Sequence, residues 1–456
     1  MAKTFRYYNP DQLLLLPPNL REWLPENHLA YFINDIVDEL DLSEITLSYE
    51  GEERGYPPYH PVMLTKVLLY AYCVGRPSSR KIQKAVEEDV AFRVLAAENR
   101  PDFRTISDFR KRHLKALAGI FVQVLKLCQE AGLVKLGHVA LDGTKVKANA
   151  SKHKAMSYER MCKTEQELED EIRRLLQEGV RIDEQEDRRF GPDKRGDELP
   201  EELARRETRL KKIREAKKRL EEEARQQAER KRKEREEKER TAEAAGIKPR
   251  GPKPKPIEDT PKAKAQCNFT DSDSKIMKDA NKAFIQGYNA QIAVDATAQV
   301  IVACDVITNP KDSVNTVALV EQVEQNTGDN PQKITADAGN YSEENVKRFL
   351  EQGIDPYIAT DKRMHNQPLP TPPRGRIPKN TSTKSRMIRK LRTKKGRETY
   401  SRRKEVVEPV FGQIKSARGF ERFLFRGHHK VRLEWTLICL GHNILKLFRS
   451  GAYAPA

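Results

Sequence analysis

Three carboxylates carry the chemistry that can be read from this chain: Asp142 in VALDGTKVKA, Asp337 in ITADAGNYSEEN and Glu408 in RRKEVVEPVFGQIK. Asp142 and Asp337 each close a short apolar run and are followed within two residues by glycine, where the chain can turn sharply. If those runs are neighbours in one sheet, the two carboxylates converge at its edge. A converging pair repels itself unless a hard dication lies between, and Mg²⁺ favours one or two carboxylates together with substrate phosphate oxygens. Taken singly, each Asp also reads as an ordinary turn or cap residue.

Glu408 lies in a run with helical spacing. Tyr400, Lys404, Glu408, Phe411 and Lys415 follow one another at intervals of four, four, three and four, which confines them to a band of ~80° on one helix face. That face would offer a carboxylate for metal beside two cations and a tyrosine suited to a phosphate backbone or an unstacked base. Pro409 removes a backbone donor within the run, which predicts a kink, or a helix start at Glu408. The common alternatives are absent: the sequence has no Gly-x4-Gly-Lys-Ser/Thr loop, no Gly-x-Gly-x-x-Gly, no Gly-x-Ser-x-Gly and no His-Glu-x-x-His. Its 9 histidines are scattered without zinc spacing.

The elements that must position these acids follow from periodicity. His138 to Leu141 is a short strand ending on Asp142; GYNAQIAVD and QVIVACDVIT form a hairpin around Ala296 to Ala298; KITADAGN is a strand ending on Asp337, and DPYIATD another. SVNTVALVEQVEQN and SEENVKRFLEQG, the second capped by Ser342, are helices. A basic, Pro-rich loop from Lys362 to Arg397 precedes the Glu408 helix, and VRLEWTLICLGHNILKLF is a final amphipathic helix. Joined together, these give a mixed sheet of about five strands flanked by helices.

Ahead of the first strand, residues 1 to about 135 read as helical, and RPSSRKIQKAVEEDVAFRVL with RPDFRTISDFRKRH presents two capped, basic helix starts. That layout suits a helix-turn-helix-like DNA module as well as a plain bundle. Between the strands lies a charged arm, with 17 Lys+Arg and 12 Asp+Glu between Glu201 and Arg240. Its thin apolar seam is Met161, Leu168, Ile172 and Leu175 before Gly191-Pro192, then Leu203, Leu210, Ile213 and Leu220. Two long helices folding back as an antiparallel coiled hairpin fit this seam, the second reaching ~60 Å, with an isolated solvated helix as the alternative. GIKPRGPKPKPIEDTPK follows as a Pro-rich linker.

Charge is distributed unevenly along the 456 residues, whose net is +17. Residues 361–456 hold 24 Lys+Arg against 6 Asp+Glu, and the remaining 360 hold 61 against 62. The excess therefore surrounds the third acid, where a polyanionic partner would be gripped. No window approaches the ~20 apolar residues needed to span a bilayer, and MAKTFRYYNPDQ lacks the layout of a secretory signal, so the expected location is cytoplasmic, with nucleoid association when DNA is bound. The 6 cysteines include no Cys-x-x-Cys pair and read as ordinary reduced thiols.

In order and surroundings, Asp142, Asp337 and Glu408 resemble the three acids of the DDE-type transposases of bacterial insertion sequences, which have a ribonuclease H-like core. YHPVMLTKVLLYAYCVGRPSSRKIQKAVEEDVAFRVL and TISDFRKRH resemble the helical N-terminal domain of many such transposases, and NFTDSDSKIMK with GYNAQIAVD resembles the return to their sheet after an insertion. The family signature Tyr-x2-Arg-x3-Glu-x6-Lys is met at Tyr400, Glu408 and Lys415, but four residues separate Arg403 from Glu408. Lys404 fits the shorter gap, so both cations stand as candidates and Glu405 as a competing acid.

The resemblance implies an α/β, ribonuclease H-like mixed-sheet core over 136–150 and 284–416. It also implies a helical N-terminal DNA-binding domain over 1–135, a charged coiled insertion and linker over 151–283, and a C-terminal helix over 417–456. It further implies two Mg²⁺ ions ~4 Å apart, with Mn²⁺ an accepted substitute, held by Asp142, Asp337 and Glu408. These would cut the phosphodiester at element ends and join the 3′-hydroxyls to target DNA. Tyr400, Arg403, Lys404 and Lys415, with Arg76, Arg80 and Lys81 on the N-terminal helices, would contact double-stranded DNA at the terminal inverted repeats and target. A homodimer on DNA and no membrane partner complete the expectation. The competing expectations are a catalytically degenerate DNA-binding protein and a nuclease of the same core without strand transfer.

Overall fold

The computed structural model describes residues 19–49, 58–190, 201–244, 256–279, 281–361, 375–378 and 381–453. Seven helices come first: α1 (Leu29–Glu39), α2 (Ser43–Thr46), α3 (Pro61–Cys73), α4 (Ser79–Glu88), α5 (Val90–Leu95), α6 (Phe103–Arg112) and α7 (Leu114–Glu130). The Arg76 to Arg112 stretch is thus α4 to α6, with α4 packed on α6. Its basic cluster does not face outward as a block. Arg110 is buried and donates to the Pro77 carbonyl at 2.5 Å and to Ser79 Oγ at 3.2 Å.

Strand β1 (Val139–Lys147) runs on through Asp142 instead of ending there. It is followed by β2 (Ala155–Ser157), the long helices α8 (Tyr158–Phe190) and α9 (Glu201–Ala244), and then β3 (Gln266–Asn268). The charged arm is the expected antiparallel hairpin. Met161 and Leu168 of α8 bury against Leu210, Ile213 and Leu220 of α9, and Arg206–Glu171 and Lys217–Glu165 pairs cross between the helices. The Gly191-Pro192 break lies outside the described residues, as do Leu203's side chain and most of the Pro-rich linker. The hairpin's base is tied down: Arg219 pairs with Asp273, and Lys275 with Glu223 at 2.8 Å.

The sheet is completed by β4 (Lys275–Lys278), β5 (Phe284–Asp295), β6 (Ile301–Ile307), β7 (Lys333–Ala336) and β8 (Asp355–Ile358). Its order is β4-β5-β1-β7-β8 with β6 also on β5, six strands where about five were expected. The extra strand is β4, so the sheet begins inside the stretch assigned to the insertion and linker. Pairings β1–β5 and β5–β6 are antiparallel, whereas β1–β7 and β7–β8 are parallel, each parallel step crossing over through a helix: α10 (Thr316–Thr327) before β7 and α11 (Glu343–Glu351) before β8. This is the expected ribonuclease H-like mixed α/β core. Val139, Ala140 and Leu141 are wholly buried because helices cover both faces of the central strand, so Asp142 is where β1 leaves the apolar interior.

Three helices close the chain: α12 (Thr383–Arg392), α13 (Lys394–Gly412) and α14 (His428–Ser450). α12 falls within the stretch expected to be a loop; Ser382 Oγ caps it and Met387 buries its inner face. α13 runs unbroken through Pro409, so the helix does not start at Glu408. Proline deprives the Glu405 carbonyl of its helical partner, and Gln299 Nε2 from the β5–β6 turn donates to it instead at 2.9 Å. α14 lies across α3, α7 and β6, with Trp435 fully buried, so N-terminal helices, sheet and C-terminal helix share one core. No described helix is long and apolar enough to cross a membrane.

Candidate active site

Parallel pairing of β1 with β7 ends at Leu141 opposite Ala336, and the next residue on each chain is an aspartate. Asp142 and Asp337 therefore emerge side by side at the carboxyl end of adjacent parallel strands, the edge where such sheets place ligands. Here β7 stops and β1 continues. Asp337 caps a short 3-10 turn: its Oδ1 accepts from the Gly339 N–H at 2.9 Å and from Asn340 Nδ2 at 2.8 Å. Its Oδ2 accepts no hydrogen bond from the described residues. The cap reading of Asp337 and the paired-acid reading are thus both realised in one side chain.

Asp142 accepts from the Gly143 N–H through Oδ1 at 2.8 Å and from Arg403 Nη1 through Oδ2 at 2.8 Å. Burial, with Asp337 adding to it and Arg403 opposing, pushes its carboxyl up to about 6. The ionised form is held against a desolvation cost that a further cation would relieve.

Helix α13 crosses β1, β7 and β8 and supplies the cation. Val406, Val407 and Val410 are its buried line and set its phase, which turns Arg403 inward; its side chain is 11% exposed and its Nε has no partner among the described residues. Tyr400, one turn earlier, lies beside it; burial and both aspartates push its hydroxyl up. Of the two candidate cations, Arg403 meets Asp142 and Lys404 is exposed.

Glu408 is exposed, at five residues beyond Arg403 and therefore about 140° round the helix from it. The face expected from Tyr400, Lys404 and Glu408 is a flank of the helix, because the valines claim the inward side. Glu405 is exposed too. Among the described residues no three His, Cys, Asp or Glu side chains stand close enough together to hold one metal ion. Two of the three acids are brought together, and Glu408 stands exposed on the adjoining helix.

Lys415 occupies a π-helical turn, Gln413–Ala417, that follows α13. Its Nζ donates to Thr144 Oγ1 at 2.9 Å and to the Lys145 carbonyl at 3.1 Å, so it braces β1 just beyond Asp142 rather than lying open to a DNA strand. Arg76 pairs with Asp89 at 3.0 Å, Arg80 lies over the Phe103 ring at 5.0 Å and Lys81 is exposed. Arg80 and Lys81 sit on α4 and Arg76 in the connection before it, without a described contact to the acid pair.

One acid escaped the sequence reading. Asp312 opens a 3-10 turn after β6, and its Oδ1 accepts from Asn289 Nδ2 at 2.6 Å, Gln291 Nε2 at 3.1 Å and Lys145 Nζ at 3.3 Å. The available signal was the placing of Asn289 and Gln291 at alternate positions in a buried strand. Buried polar groups of that kind require a partner.

Comparison with known families gives two matches. Residues 18–112 match the family model described as Transposase domain (DUF772), and residues 250–444 match the one described as Transposase DDE domain. The second match contains Asp337, Arg403, Glu408 and Lys415, whereas β1 with Asp142 lies between the two. No curated protein and no solved structure matches the chain.

Proposed function

Because this chain belongs to the DDE-type transposases of insertion sequences, we propose that it cuts the phosphodiester bond at the ends of its element and joins the freed 3′-hydroxyls to target DNA. The observation that carries the proposal is the emergence of Asp142 and Asp337 side by side where β1 and β7 part. The donor set fits a divalent ion of the kind this family generally uses. Both groups are hard oxygens, Asp142 is held at about 6 by burial, and Asp337 Oδ2 accepts no hydrogen bond among the described residues. Asp142 and Asp337, joined by Glu408 from α13, would hold Mg²⁺, with Mn²⁺ as substitute. The chemistry a bound pair of such ions supplies is activation of the attacking oxygen and neutralisation of charge on the leaving one.

The chain's own residues do the positioning. Lys415 fixes the course of β1 past Asp142, and the Asn340 amide orients the Asp337 carboxylate. Arg403 keeps Asp142 aligned and, as a fork of donors beside the acids, would take up a scissile-strand phosphate. The cations of residues 361–456 would add affinity independent of sequence. Domain roles follow the same reading: helices before β1 recognise element ends, the α8–α9 hairpin is an insertion, and two copies act together on two ends.

The test is incubation of the purified protein with Mg²⁺ and DNA bearing the terminal inverted repeats that flank its own gene. Strand-transfer products are expected. Free cut ends alone would make it a nuclease of the same core, and a mobility shift without cutting would make it a degenerate DNA-binding protein.

A further inference from the structure

We propose that Asp312 is a positioning residue that clamps the two aspartate turns, Asp142-Gly143 and Asp337-Ala338-Gly339, at the separation at which they share one cation. This rests on the metal-binding reading of Asp142 and Asp337 given above.

The register of β1 with β5 sets Gly143 opposite Gln291 and Lys145 opposite Asn289, so these four residues share one face of the sheet. Asp142 and Thr144 point to the other face, where Arg403 and Lys415 hold them. Asp312 docks on the Gly143 face. β1 is therefore gripped from both sides at the point where it presents its acid.

Contact with the turns is immediate. A Cβ on Gly143 would meet Asp312 Oδ1 at 2.7 Å, and a Cβ on Gly339 would meet Asp312 Oδ2 at 3.0 Å. The carboxylate thus fills the space that both glycines leave open, one oxygen against each turn. A second path reaches Asp337 through buried side chains. The Thr316 hydroxyl lies 3.1 Å from the Asp312 carbonyl and 2.9 Å from Asn340 Oδ1, and Asn340 Nδ2 donates to Asp337 Oδ1 at 2.8 Å.

A carboxylate is the group that suits this position. Its Oδ1 gathers donors from Asn289, Gln291 and Lys145, two of them buried amides and one a cation with its side chain 17% exposed. An amide in its place would turn an N–H toward those donors or lose the charge that balances Lys145. The arrangement leaves Asn289 Oδ1 buried and without a partner among the described residues, while its Nδ2 donates to Asp312 Oδ1 and to the Asn309 carbonyl in the same loop after β6. Ordering the Asp312 loop takes precedence there over satisfying every atom.

The test is Mn²⁺ binding to the full-length protein by calorimetry, without DNA, together with the Mn²⁺ dependence of end cleavage and thermal melting. In Asp312→Asn the Mn²⁺ affinity should fall by about tenfold or more, as when a group supporting metal ligands is altered. Cleavage should recover toward wild type at saturating Mn²⁺, and end binding should hold. Gly143→Ala, which pushes the Asp312 carboxylate aside without removing it, should lose affinity similarly. The double variant should lose less than the product of the two, because both act on one contact. An Mn²⁺ affinity within about twofold of wild type in either folded variant overturns the proposal, since a merely structural loop residue would lower melting alone. Asp337→Asn is the control. If it leaves Mn²⁺ binding intact, the metal-binding reading itself fails and this inference with it; if it abolishes binding while Asp312→Asn changes nothing, only the inference falls.

Discussion

Asp142 is the residue at which the proposed function and stability oppose each other. Its carboxyl is pushed from 3.8 up to about 6, so between those pH values the folded protein holds a proton that the unfolded chain has released. Stability therefore declines as pH rises through that window and levels off above it, a difference of roughly 3 kcal/mol at most. Asp142→Asn removes the charge while its amide oxygen can still accept from Arg403. The metal-free variant should melt above wild type at pH 8 and level with it at pH 4, followed by circular dichroism at both pH values. A lower melting temperature at pH 8 would show that the Arg403 pair outweighs burial. By the same sign, protons should compete with Mg²⁺ below about pH 6, so cleavage at sub-saturating metal should fall there. The two aspartates were legible in the sequence because apolar runs ending in Asp near Gly carry a local signal. Asp312 was not, since its importance comes from a register that brings Asn289, Gln291 and Lys145 to one face.

At the scale of the element, α13 is the lever that sets the site. Its continuity past Pro409 depends on Gln299 receiving the stranded carbonyl, and its exit through a π turn aims Lys415 at β1. Lys415→Ala should destabilise the fold by about 2 kcal/mol in urea titrations, the worth of hydrogen bonds from a charged, half-buried group. It should also slow cleavage by loosening β1. Full stability together with full activity would remove Lys415 from that role. The helix itself was evident from spacing, but its phase was misread. Steps of four from Tyr400 selected Lys404 and Glu408, whereas Val406, Val407 and Val410 turn Arg403 inward. Buried apolar residues decide which face a helix buries, and charged ones follow. α12 was hidden for a related reason, because its basic composition masked the single buried Met387.

For the molecule as a whole, the positive charge of residues 361–456 is less free than its count suggests. Lys384 pairs with Asp361, Lys390 with Asp355 and Arg403 with Asp142. Lys394, Lys395, Arg402 and Lys404 are exposed and make no ion pair among the described residues. Replacing these four by Gln should reduce the slope of log binding constant against log salt by about 3 to 4 on DNA of any sequence. An unchanged slope would mean that DNA is gripped elsewhere. The main strands, the helical N-terminal layer and the hairpin arm followed from periodicity and turn residues, without the order of the strands in the sheet. Their union into one core did not, because α14 meets α3 and α7 from the far end of the sequence.

The proposed strand cleavage depends most on Asp142 and Asp337 acting as a pair, with Glu408 as the third acid. Single-turnover cleavage of DNA bearing the element's own ends, with Mg²⁺, should be abolished in Asp142→Asn, Asp337→Asn and Glu408→Gln while each still binds those ends. Retained cleavage in Glu408→Gln would remove only the exposed glutamate. Retained cleavage in either aspartate variant would show that the two carboxylates do not carry the cut.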